Sequence, residues 1–130
     1  MKLSLHHRTL LIAAAFFLLL TAVSGCGRKD DLKKAQTVVE TSLNSWKNGE
    51  TPDKLVSQGI DITDQDWKAG NKLLDYSIKS AMSQPQQGPR VVVMLNMQTK
   101  RGKKVNTEVA YEVILTDKAK IGRDAFHVPQ

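Results

Sequence analysis

One thiol, Cys26, stands alone in a 130-residue chain that also carries three histidines and thirteen carboxylates. A lone cysteine excludes an intramolecular disulfide framework and any Cys-cluster zinc site. It directly follows Val23-Ser24-Gly25, so its reactivity is that of a single sulfur beside two small residues. A second constellation is Lys100, Arg101, Lys103 and Lys104, four cations within five positions. Such a cluster attracts an anionic surface: phospholipid headgroups, lipopolysaccharide or a cell-wall polymer. The plainer reading is a soluble hairpin tip whose charges also guard a sheet edge. Asp61, Asp64 and Asp66 invite a calcium reading. They lack the alternate ligand spacing, the sixth-position glycine and the twelfth-position glutamate of a calcium loop. The favoured alternative is a solvated turn in which Asp64 or Asp66 caps a helical turn at Trp67. General acid–base chemistry would draw on His127, Asp75 and Tyr76. His127 lies near the C-terminal end, where fraying is expected, and Asp75 alternates to the strand face opposite Tyr76, so the three are not expected to converge.

The elements that must position these residues divide the chain in two. Residues 1–25 hold 16 apolar residues, two cations (Lys2 and Arg8) and no acid. Residues 27–130 hold 17 Lys/Arg against 13 Asp/Glu, so the formal +6 of the whole chain becomes +4. Leu10 to Leu20 is an unbroken apolar run. Eleven residues at about 1.5 Å rise reach only half-way across a ~30 Å hydrocarbon core. A positive start, a short apolar run and small residues after it read as a cleaved secretory signal.

Val23-Ser24-Gly25-Cys26 resembles the lipobox of bacterial lipoproteins, an aliphatic residue and two small residues before the cysteine. The resemblance implies that the Cys26 thiol receives a diacylglycerol and that the signal is cut between Gly25 and Cys26. The new amino group is then often acylated, for instance with palmitate. The alternative is a free or buried thiol beside a simple secretory signal. Two or three acyl chains anchor stably where one does not. Gly27, in place of an aspartate after the cysteine, resembles the class released to the outer membrane in bacteria with two membranes. Export removes nucleic acid from the expected partners, despite a sequence pI near 9.6.

The expected organisation is a signal over 1–25, a lipidated tether over 26–31 and one domain over 32–128. Leu32, Ala35, Val39, Leu43 and Trp46 recur at three and four, the face of an amphipathic helix, with Asp30 or Asp31 as its cap and Gly49 past its end. Thr51-Pro52-Asp53 predicts a short second helix to about Gln58. Ile60–Ile62, Leu74–Ser80, Val91–Met97, Val105–Val113 and Lys120–Phe126 read as strands. Val91–Met97 is apolar on both faces and therefore central, and Lys100–Lys103 is a hairpin turn. Ser45-Trp46-Lys47-Asn48-Gly49 echoes Asp66-Trp67-Lys68-Ala69-Gly70, two uses of one device that sends a Trp inward just before a Gly ends a helical turn.

This order predicts an α+β domain, an N-terminal amphipathic helix packed on a curved antiparallel sheet of about four strands. Its element order, with Trp46-Lys47-x-Gly49, Asp66-Trp67-x-x-Gly70 and the Tyr76 and Tyr111 strands, resembles the cystatin-like or nuclear-transport-factor-2-like cone of small exported lipoproteins. Together with the lipobox and the scattered polar residues, the expectation is a membrane-anchored protein with a non-catalytic binding or scaffolding role at the cell envelope, with no cofactor or metal. The alternative from another class is a small cone-fold isomerase, dehydratase or carrier acting on a hydrophobic molecule. Val92, Met94 and Ile114 mark a candidate homodimer face, and strand addition is open to edges near Ile60–Ile62 or Lys120–Arg123. Trp46, Trp67, Tyr76, Tyr111 and Phe126 are expected in the core.

Overall fold

The structure, a computed structural model, describes residues 27–129. Gly25, Cys26 and the apolar run lie outside the described residues. The first helix, α1, runs Gly27–Lys47. Ala35, Val39, Leu43 and Trp46 form its fully covered stripe, as their spacing predicts. It begins earlier than the apolar period indicates and takes in the stretch expected to be a tether. The cause is visible in the side chains: Arg28 to Asp31 are exposed, so that turn packs on nothing and leaves no hydrophobic signal. Asp30 lies inside the first turn rather than before it, where its charge opposes the positive end of the helix dipole.

Two one-turn helices follow, α2 (Asp53–Val56) and α3 (Gln65–Lys68), flanking the short strand β1 (Ile60–Thr63). The Thr51 hydroxyl caps nothing in α2; Pro52 is the N-cap and offers no side-chain bond. Then come β2 (Lys72–Gln84), β3 (Gly88–Gln98), β4 (Lys104–Leu115) and β5 (Ala119–Arg123). The sheet has five strands in the order β1-β5-β4-β3-β2. It is mixed rather than wholly antiparallel: β2 to β5 form a meander, and β1 pairs parallel with β5 through Ile60–Ala119 and Ile62–Ile121. The chain leaves β1 by way of α3, starts the meander at the far edge and returns beside β1. β5 is thereby an interior strand, so Lys120–Arg123 offers no free edge. β1 and β2 are the edges. Register shifts around Leu74 and Lys79 break β2's ladder twice, which bends the strand and blunts its pairing edge.

The space between α1 and the sheet is filled. Ala35, Val39 and Leu43 meet Val91, Val93, Leu95, Tyr111 and Val113, all essentially inaccessible to solvent. Burial of each larger aliphatic among them contributes about 1.5–3 kcal/mol. On the outer face, Val92 and Ala110 are also buried, alongside the segment that follows β5. The expected dimer face is therefore not a single open patch: Val92 is covered, Met94 is half-buried, and Ile114 alone is open. Phe126 is 91% exposed rather than in the core. Its backbone N–H is held by the Asp124 carboxylate.

Candidate functional site

Three polar constructions are built on this frame. The first joins the two Trp-x-x-Gly segments. Trp46 and Trp67 stack with ring centroids 5.4 Å apart and planes 7° from parallel. The Trp46 indole donates to the Asn71 carbonyl (2.8 Å), and the Trp67 indole donates to the Glu50 carbonyl (3.0 Å). Each indole thus caps the residue that follows the other's glycine. Gly49 and Gly70 both take left-handed backbone (φ +80° and +83°). In each segment the glycine N–H bonds back to the Trp carbonyl, and the next N–H bonds to the residue before the Trp, the Schellman pattern of a helix end. The side chains repeat it: Ser45 pairs with Glu50, and Asp66 with Asn71. The sequence echo is a reciprocal pair of helix ends, which clamps α1 to α3.

The second construction is a buried charge node. Asp64 is only 3% exposed, not solvated as the sequence suggests. Its Oδ1 caps α3, accepting from the Asp66 and Trp67 N–H groups; its Oδ2 accepts from the Tyr111 hydroxyl (2.6 Å) and Arg123 Nε (2.8 Å). Arg123 also pairs with Asp66 at 2.6 Å. Four donors on one carboxylate satisfy it where water cannot reach. Burial first, and then the adjacent Asp64 charge, push the Tyr111 phenol far above its usual range. Above about pH 10 the unfolded tyrosine releases its proton while the folded one keeps it. Stability is expected to fall there by about 1.4 kcal/mol per pH unit from this residue. Urea unfolding from pH 9 to 11 should show a shallower decline in Tyr111→Phe than in the parent; equal declines would contradict the assignment.

The third lies on the outer face. Arg90 pairs with Asp124 (2.7 Å) and meets His127 Nδ1 (2.9 Å), while His127 Nε2 meets Glu108 at 2.8 Å. Arg90, Glu108, Asp124 and His127 meet here without Asp75 or Tyr76, and His127 is held rather than frayed. The sequence hides this because Arg90, Glu108 and Asp124 sit on three different segments. With Nδ1 accepting from Arg90 and Nε2 donating to Glu108, neither ring nitrogen is left for a substrate, so the cluster fastens the segment after β5 to the sheet. Asp75 and Tyr76 are spent in similar fashion, on Lys47 (3.1 Å) and Asn44 (2.8 Å) of α1. Among the described residues, no group of three or more His, Cys, Asp and Glu side chains is arranged to hold a metal ion.

Lys100, Arg101, Lys103 and Lys104 are all exposed at the β3–β4 hairpin. Thr99 and Lys103 close the loop by a backbone bond of 2.8 Å, with Gly102 left-handed at φ +84°, the usual geometry of a three-residue hairpin. None of the four makes an ion pair among the described residues. Fold and site together define an α+β protein with one long helix across a five-stranded mixed open sheet and a free cationic end. No protein-family model, curated protein or solved structure matches the chain.

Proposed function

We propose that the protein is a bacterial envelope lipoprotein, anchored through acylated Cys26, with a non-catalytic binding or scaffolding role. The observation that carries this reading is the placement of the chain's one cysteine directly after Val23-Ser24-Gly25 and directly before α1. Diacylglycerol on Cys26 would place the rigid domain at the membrane with no flexible spacer, since helix begins at the next residue. Among the described residues, no helix is long and apolar enough to cross a membrane. Gly27 favours the outer membrane where a cell has two. The helix laid on a bent sheet fits the cystatin-like or nuclear-transport-factor-2-like cone. The filled interior supports binding at the surface over a small-molecule pocket inside the cone, the alternative isomerase or carrier reading. The surface cations fit an anionic partner, either an envelope polymer or lipid headgroups.

Metabolic labelling with a palmitate analogue tests the anchor. Label is expected on the parent chain and lost in Cys26→Ser, with the variant leaving the membrane fraction. Label retained in Cys26→Ser would refute the anchor.

A further inference from the structure

We propose that the end of the domain bearing the β3–β4 hairpin binds an acidic polysaccharide. Four cations of the hairpin are joined there by two from other elements. Lys72 of β2 lies opposite Gln98, which lies opposite Lys104, so two lysines flank one glutamine across three neighbouring strands. Strand spacing puts their backbones about 10 Å apart. The Lys100 methylenes lie against Gly70, in the turn between α3 and β2, and Lys68 is the last residue of α3 just before that turn. All six cations are exposed, and none makes an ion pair among the described residues.

Beside them opens a cleft of about 650 Å³ whose lining includes Trp46, Trp67, Thr51, Asp53 and Asn71 together with Lys68 and Lys72. That lining selects among anions. Asp53 repels a polymer that is densely charged on every side, while the Glu50 carboxylate is already paired with Lys54 and Ser45. Asp53 accepts hydrogen bonds from hydroxyls, as Thr51 and Asn71 also can. A chain with carboxylates along one side and hydroxyls along the other satisfies both halves of the surface.

Geometry also favours a polymer over the headgroups of the anchoring membrane. Lys47, at the end of α1, pairs with Asp75 near the start of β2, so the helix C-terminus sits at the cationic end. Its first residue, Gly27, is about 30 Å away along a 21-residue helix. If Cys26 holds the membrane, the cations face away from it. This orientation rests on the anchor reading; the binding does not.

The full chain, purified from membranes and reconstituted in phosphatidylcholine vesicles, provides the test. Fluorescent polygalacturonate is the probe, neutral dextran its control, and phosphatidylglycerol vesicles the lipid arm. Capture of polygalacturonate but not dextran is expected. It should weaken by nearly a thousandfold in Lys100→Ser/Arg101→Ser/Lys103→Ser/Lys104→Ser and about thirtyfold in Lys68→Ser/Lys72→Ser, at about 1 kcal/mol per cation, with circular dichroism unchanged. Absence of capture, or equal capture by both variants, would overturn the proposal. So would clustering of phosphatidylglycerol vesicles without polygalacturonate binding, which would make headgroups the ligand. Failure of the chain to float with its vesicles would refute the anchor alone, and polygalacturonate anisotropy on the free chain would still decide the binding.

Discussion

Replacing Asp64 by alanine is expected to remove about 3–5 kcal/mol of stability, a large part of the 5–15 kcal/mol available to a domain of this size. One carboxylate accepts from two α3 N–H groups, from Tyr111 and from Arg123. Its loss removes the helix cap and strands a fully buried phenol. It also leaves Arg123, whose side chain is 15% exposed, with Asp66 as its remaining acid. Asp64→Asn keeps the capping oxygen but turns an amide donor toward two other donors, so it should recover only the cap, about 1 kcal/mol. Urea midpoints measure both. Because Tyr111 and Arg123 share the one acceptor, Asp64→Ala/Tyr111→Phe should cost less than the sum of its parts. A loss below 1 kcal/mol for Asp64→Ala would show that the node is not what ties β1, α3, β4 and β5 together.

The tryptophan pair should show the second large effect. Trp67→Ala is expected to cost about 3–5 kcal/mol and Trp46→Ala a similar amount, since both rings are nearly inaccessible and stacked on each other. Each loss also orphans a loop carbonyl. The double variant should be well short of additive, because the first truncation already removes the stack. Trp67→Phe keeps a ring and loses the bond to the Glu50 carbonyl, so about 1 kcal/mol is expected for that bond, beyond any change in packing. Chemical denaturation of the four chains forms the cycle; full additivity would mean that the two helix ends are independent.

What could be read from the sequence, and what could not, follows from the range of the interactions. The face of α1, the β3–β4 hairpin and the Trp-Gly echo are written in residues a few positions apart. So is the α3 cap, where Asp64 bonds its own near neighbours. The other half of Asp64's role depends on Tyr111 and Arg123, which are 47 and 59 residues further along, and no local pattern announces a buried carboxylate. The parallel β1–β5 pair escapes for the same reason: Ile60–Ile62 alternates alike for either strand direction. Arg90, Glu108, Asp124 and His127 each look like an ordinary surface residue until β3, β4 and the segment after β5 come together. The cationic hairpin is plain in the sequence. That Lys72 and Lys68 extend it, beside a hydroxyl-accepting cleft, depends on strand register.

We propose that the domain hangs from acylated Cys26, with α1 starting at the next residue. The mass of the N-terminal peptide of the chain taken from its native membrane tests this most directly. The predicted result is a peptide that begins at Cys26 and carries a thioether-linked diacylglycerol. A peptide that still holds residues 1–25, or one whose Cys26 thiol is free, would contradict it.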